Sequence, residues 1–180
     1  MLRLLTALVA AAAVSTSSLA AADPAAAASC TFGLVCIAMD VPAPLAFGTK
    51  NAATTTDSAD QTVTISASAS WGIKVSTDLA DGKMKEWTGA AYVGAGAKVM
   101  HNPLQFRLSA VGASAQSTTF AMLSGTAATL VSGQPTTCAL LLCNSTTIAA
   151  QYRLQTSFFD PNAGSNDYRI QVTYDAQLGF

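Results

Sequence analysis

The stretch TVTISASASWGIKVST, Thr62 to Thr77, decides the fold class. Val63, Ile65, Ala67, Ala69, Trp71, Ile73 and Val75 fall on every second position, with Thr, Ser, Gly and Lys between them. Alternation of this kind marks a strand with one buried and one wet face. The run is about 50 Å long at strand rise, well beyond a typical strand. One core cannot cover it, so the ribbon is expected to bend, or to be two strands sharing one parity. The small residues of SASAS are the expected bend, and Gly72 offers a bulge or kink. Val63 and Ile65 are expected in one part of the core, and Trp71, Ile73 and Val75 in another.

Working outward, short alternating runs recur between turn residues, the signature of an all-β chain. CIAMDV and LAFGT come first, then a polar loop KNAATTTDSAD. TDLADGKMKEWTGAAYVGAGAK reads as one or two hairpins with glycine turns. LQFRLSAV places Leu104, Phe106, Leu108 and Ala110 on one face. TTFAMLSG and AATLVSG are shorter. TTIAAQYRLQTSFF aligns Ile148, Ala150, Tyr152, Leu154 and Phe158. After the turn cluster DPNAGSND, the final run carries Tyr168, Ile170, Val172, Tyr174, Ala176, Leu178 and Phe180 in step. Two sheets facing each other bury both apolar faces. The expected fold is an antiparallel β-sandwich, Ig-like or pilin-like, of seven to nine strands.

The N-terminus predicts an exported chain. Arg3 precedes an apolar run from Leu4 to Val14 and small residues ending at Ala20-Ala21-Ala22, the layout of a cleaved signal peptide. The run is short of the ~20 residues that cross a bilayer. The expected organisation is a signal peptide over residues 1–22, an alanine-rich linker over 23–29 and one sandwich domain over 30–180, with no transmembrane helix in the mature chain. Loss of Arg3 leaves eight cations against ten acids. They are scattered, which argues against nucleic acid as a partner. Charged residues are 11% of the chain, about half the usual share, and hydroxyls must wet the surface instead. Low charge favours association.

Four cysteines, Cys30, Cys36, Cys138 and Cys143, suggest two disulfides in an exported protein. Local pairing, Cys30–Cys36 and Cys138–Cys143, is preferred. Gly33 supplies a turn for the first loop, whereas CALLLC contains no turn residue. If the second loop closes locally, some of Leu140, Leu141 and Leu142 form an apolar knob. The alternative is a buried strand clipped to the first segment.

No chemistry-bearing constellation stands out. His101, the single histidine, sits in VMHNPL without a nucleophile elbow and reads as a solvated loop residue. Asp57 with Asp60, and Asp78 with Asp81, read as turn caps; a loosely held calcium is conceivable at either pair, though neither matches an EF-hand loop. No catalytic residue, cofactor or metal is assigned. Trp87 and Tyr92, in a glycine-rich region, are candidate partner contacts together with Leu140, Leu141 and Leu142. Asn144-Ser145-Thr146 fits a glycosylation sequon.

WGIKVS at Trp71 resembles the first tryptophan motif of WxL-type bacterial surface proteins. PLAFGT, Pro44 to Thr49, is similar to the opening strand of those domains and of spore-coat-U-like and fimbrial secreted proteins. FFDPNAGSNDYRIQVTYDA resembles their final hairpin. Ile73 stands where a WxL motif carries Leu, and Tyr174-Asp175-Ala176 occupies the place of the second tryptophan motif. On this resemblance Phe47, Gly48, Trp71, Ile73 and Tyr174 are the motif or core residues, and attachment to a cell-wall polymer or envelope protein is implied. The expected function is a secreted, non-enzymatic envelope or surface protein, extracellular, cell-surface or on the periplasmic side. The alternatives are a fimbrial subunit self-associating by strand exchange and, further off, a small outer-membrane β-barrel.

Overall fold

The computed structural model describes residues 5–13, 35–116, 118–139 and 142–179. In chain order the strands are β1 (Leu5–Ala13), β2 (Ile37–Asp40), β3 (Leu45–Lys50), β4 (Thr55–Asp57), β5 (Gln61–Ala67), β6 (Trp71–Thr77), β7 (Lys83–Trp87) and β8 (Val99–Pro103). They continue with β9 (Gln105–Val111), β10 (Ser114–Ala115), β11 (Ala121–Met122), β12 (Ala128–Gln134), β13 (Cys138–Ala139), β14 (Leu142–Cys143), β15 (Thr146–Gln155) and β16 (Asp167–Leu178).

Two seven-stranded sheets form a sandwich. The first runs β12-β6-β16-β1-β3, with β7 beside the start of β16 and β8 beyond it; the second runs β10-β9-β15-β5-β2, with β11 on β9 and β4 on β15. The sixteen segments exceed the seven to nine expected. Long strands are each flanked by two short ones in succession: β16 pairs with β7 at Asp167–Arg169 and with β6 at Val172–Leu178. Likewise β4, hidden in a segment read as loop, and β5 share one edge of β15. Among the described residues, every strand pairing is antiparallel except that of β1 with β16, which is parallel.

The opening ribbon is two strands of one parity in opposite sheets. β5 lies in the second sheet and β6 in the first, and Ser68–Ser70 carry the chain across. The β6–β16 ladder passes through Gly72 without a shift, so the bend falls at the serines. Ala69, expected on the apolar side, is exposed at that corner. Small side chains allow the corner, and hydrogen bonds hold it. The Ser68 backbone N–H and hydroxyl both donate to the Cys36 carbonyl, and Gly179 N–H donates to the Ser70 carbonyl. Beyond it the ribbon points inward on both sheets: Val63, Ile65, Ala67, Trp71, Ile73 and Val75 are all buried.

Leu104, Phe106, Ile148, Ala150, Tyr152, Leu154, Tyr168, Ile170, Val172 and Tyr174 complete the shared core, as their alternation predicts. Phe158 does not join them and is 81% exposed. β15 ends at Gln155, and the chain turns before the parity can carry that ring inward. Phe180 lies outside the described residues.

Candidate functional site

The feature that sets this sandwich apart is how its first sheet is closed. β1 lies between β3 and β16. Ala7 through Ala13 pair in parallel with Tyr168 through Tyr174 on one side, and Leu5 through Val9 pair antiparallel with Lys50 back to Leu45 on the other. Neighbouring strands sit about 4.8 Å apart, so β3 and β16 lie about 10 Å from each other with this segment between them. Take it away and two sheet edges face each other across a slot one strand wide.

The slot is shaped by both walls. On β3, Ala7 pairs with Gly48 and Leu8 with Ala46, so Phe47 is the extra residue of a bulge. Gly48 takes φ 66°, the left-handed conformation such a bulge needs, and a Cβ there would meet nothing within 4 Å. Backbone conformation, not space, demands glycine. Phe47 is buried beneath. On β16, Tyr168, Ile170, Val172 and Tyr174 all face the core, so the strand is anchored and presents to the slot the edge that β1 occupies. Beneath it the Tyr152 and Tyr174 hydroxyls hydrogen-bond to each other across the sandwich. Burial pushes the Tyr174 phenol up to about 12 and also raises Tyr152 well above its ordinary value, with the partner phenol adding to the rise at Tyr152.

Phe47, Trp71, Ile73 and Tyr174 are buried, and the Trp71 indole N–H donates to the Pro135 carbonyl at 2.8 Å. The cysteines behave as local pairing predicts where they are described. Cys138 and Cys143 face each other in the β13–β14 hairpin and form a disulfide with Cα atoms 3.9 Å apart. A cross-strand position brings the two sulfurs together without a special turn residue. Leu142 is 71% exposed beside it, whereas Leu140 and Leu141 lie outside the described residues. Cys36 is also disulfide-bonded; Cys30 lies outside the described residues, as do residues 14–34, which hold the expected cleavage site and linker.

Trp87 and Tyr92 come together on the outer face of the first sheet. Their rings meet edge to face at 5.0 Å, and the Arg169 guanidinium covers Trp87 at 4.6 Å. The Tyr92 hydroxyl donates to Asp78, whose other oxygen accepts the Gln171 N–H. Burial, with the Asp78 carboxylate, raises the Tyr92 phenol. The pair thus clips the 88–98 loop to the sheet.

The acids singled out in sequence each have a structural partner. Asp57 makes a bidentate ion pair with Arg153 at 2.6 and 2.8 Å, which holds its carboxyl below the usual range. Asp60 accepts from the Ser109 hydroxyl, and Asp81 from the Lys83 N–H. His101 is exposed on β8, a strand and not a loop; its backbone N–H donates to Asp160 and its ring lies 6.0 Å from Phe159. Asn144, of the sequon, is exposed next to the disulfide. Three groupings escaped sequence reading. The guanidiniums of Arg153 and Arg107 both lie over the Phe120 ring, at 3.8 and 4.7 Å; Phe158 and Phe159 are both exposed; and Lys83 and Lys85 share a cleft. The last was half-visible, since KMKEW places two cations on one face.

No family model matches the chain, and no curated protein matches it.

Proposed function

We propose that this chain is a secreted, non-enzymatic subunit of a cell envelope or surface, assembled by strand exchange through the slot between β3 and β16. The observation that carries this reading is β1. The segment that completes the first sheet is the same apolar run that the sequence marks as the heart of a removable signal peptide. Its removal exposes unpaired N–H and C=O groups on two facing edges, a template for an incoming strand. The disulfide at Cys138–Cys143 fits export, and scarce charge fits a protein held in an assembly. A core filled by side chains from both sheets favours this reading over a membrane barrel.

The test compares the chain lacking residues 1–22 with and without a synthetic peptide of sequence LTALVAAAA, by size-exclusion chromatography with light scattering. Concentration-dependent oligomers that become monomers on adding the peptide support strand exchange. A monodisperse monomer at high concentration without peptide overturns it.

A further inference from the structure

On the outer face of the first sheet, apart from the slot, lies a cleft of about 250 Å³. Lys83 and Lys85 of β7 line it with Val99 of β8, and turns at Leu79–Asp81 and Gly94–Ala97 form its walls. The two lysines are two residues apart on one strand, so their side chains share a face about 7 Å apart. Neither ammonium makes a hydrogen bond or ion pair among the described residues. The opposite wall carries Gly94 and Gly96, where a Cβ would meet nothing within 4 Å, so the cleft is open there.

A third cation extends the row. Arg169 is the direct cross-strand partner of Lys85, and its Nε is buried with no hydrogen-bond partner. Like charges directly opposite each other in a sheet destabilise it. Arg169 is held by its stacking on Trp87, but Lys83 and Lys85 have no carboxylate partner among the described residues, so in so charge-poor a chain their charges and that of Arg169 add up without an offset there. The nearby acids are otherwise occupied. Asp78 holds Tyr92 and Gln171, Glu86 takes the Asn166 side chain and Lys98 N–H, and Asp81, on the cleft wall, caps the Lys83 N–H.

We propose that the cleft between Lys83, Lys85 and the Gly94–Ala97 turn binds an anionic group, a phosphate or carboxylate carried on a linear polymer. The ammoniums take the charge and the glycine wall admits the chain. The neighbouring Arg169 favours a second charge further along the same molecule, which selects a polyanion over a single ion.

The full chain is titrated calorimetrically at low salt with linear polyphosphate and with polygalacturonate, and with dextran as the neutral control. Lys83→Gln/Lys85→Gln should weaken binding about tenfold, as loss of two exposed charge-assisted contacts implies. Lys50→Gln, on β3, should change it less than about twofold. Asp81→Asn keeps an acceptor for the Lys83 N–H and should tighten binding, because it removes a negative charge from the wall. Binding of either polymer assigns the phosphate or the carboxylate; binding of both assigns charge alone, within the same site. No binding of either polymer, dextran binding as tightly, or equal affinity in Lys83→Gln/Lys85→Gln overturns the proposal.

Discussion

Replacing Trp71 by alanine tests whether the opening ribbon truly spans both sheets. Trp71 is the first residue of β6, where the chain has just left the second sheet for the first. It is 1% exposed, packs in the shared core and donates its indole N–H to Pro135 at 2.8 Å. Truncating a buried tryptophan costs about 3–5 kcal/mol through lost transfer energy and the cavity left behind. A domain of this size is stabilised by only about 5–15 kcal/mol, so Trp71→Ala should lower Tm by roughly 10 °C and shift the urea midpoint sharply. Trp71→Phe keeps a ring but loses the hydrogen bond. Pro135 is exposed, so water can take over its carbonyl, and the cost should be about 1–2 kcal/mol. Equilibrium urea unfolding followed by circular dichroism measures both. A loss under about 1 kcal/mol in Trp71→Ala, or equal losses in the two variants, would refute the placement of this ring at the seam.

Gly82 and Gly48 separate crowding from backbone strain. Both have φ 66°, but a Cβ at Gly82 would lie 1.9 Å from the Leu123 carbonyl oxygen, whereas one at Gly48 meets nothing. Gly48→Ala should cost about 1–2 kcal/mol and Gly82→Ala distinctly more, about 3 kcal/mol or above, in the same assay. The Tyr152–Tyr174 pair should make the fold alkali-sensitive. Both phenols are held neutral above their ordinary pKa near 10, so the unfolded chain ionises first and stability falls from pH 10 upward. The slope should approach about 1.4 kcal/mol per pH unit for each tyrosine, and Tyr174→Phe should reduce it. Asp57 titrates in the other sense. Its depressed pKa gives stability that is present above the ordinary carboxylate value near 3.8 and lost as pH falls below it. The pair is about one-third exposed, so Asp57→Asn should change the acid limb by less than about 1 kcal/mol.

The sandwich was legible because alternation records which side of a strand is dry. Val63 to Ala67, Trp71 to Val75, Ile148 to Leu154 and Tyr168 to Tyr174 all face as their parity predicts. Parity fails where strands stop. Ala69 and Phe158 continue the count past a corner and a strand end, and both are exposed. Which strands are neighbours was not legible, since ladder hydrogen bonds join backbone to backbone with little regard for side chains. For that reason LTALVAAAA, which has no alternation, read only as an apolar leader, and its place between β3 and β16 came from the structure. The Cys138–Cys143 hairpin is a similar case. CALLLC lacks a turn residue, yet a cross-strand register brings the sulfurs together.

Amide hydrogen exchange on the two walls of the slot speaks most directly to the reading offered for this protein. In the full chain, the amides of Leu45–Lys50 and Tyr168–Tyr174 that bond to β1 should exchange slowly. In the chain without residues 1–22, diluted until light scattering shows a monomer, those amides should lose protection. Amides of β16 that bond to β6 should keep theirs, and adding the LTALVAAAA peptide should restore the rest. Equal protection of both walls with and without the segment would contradict the account.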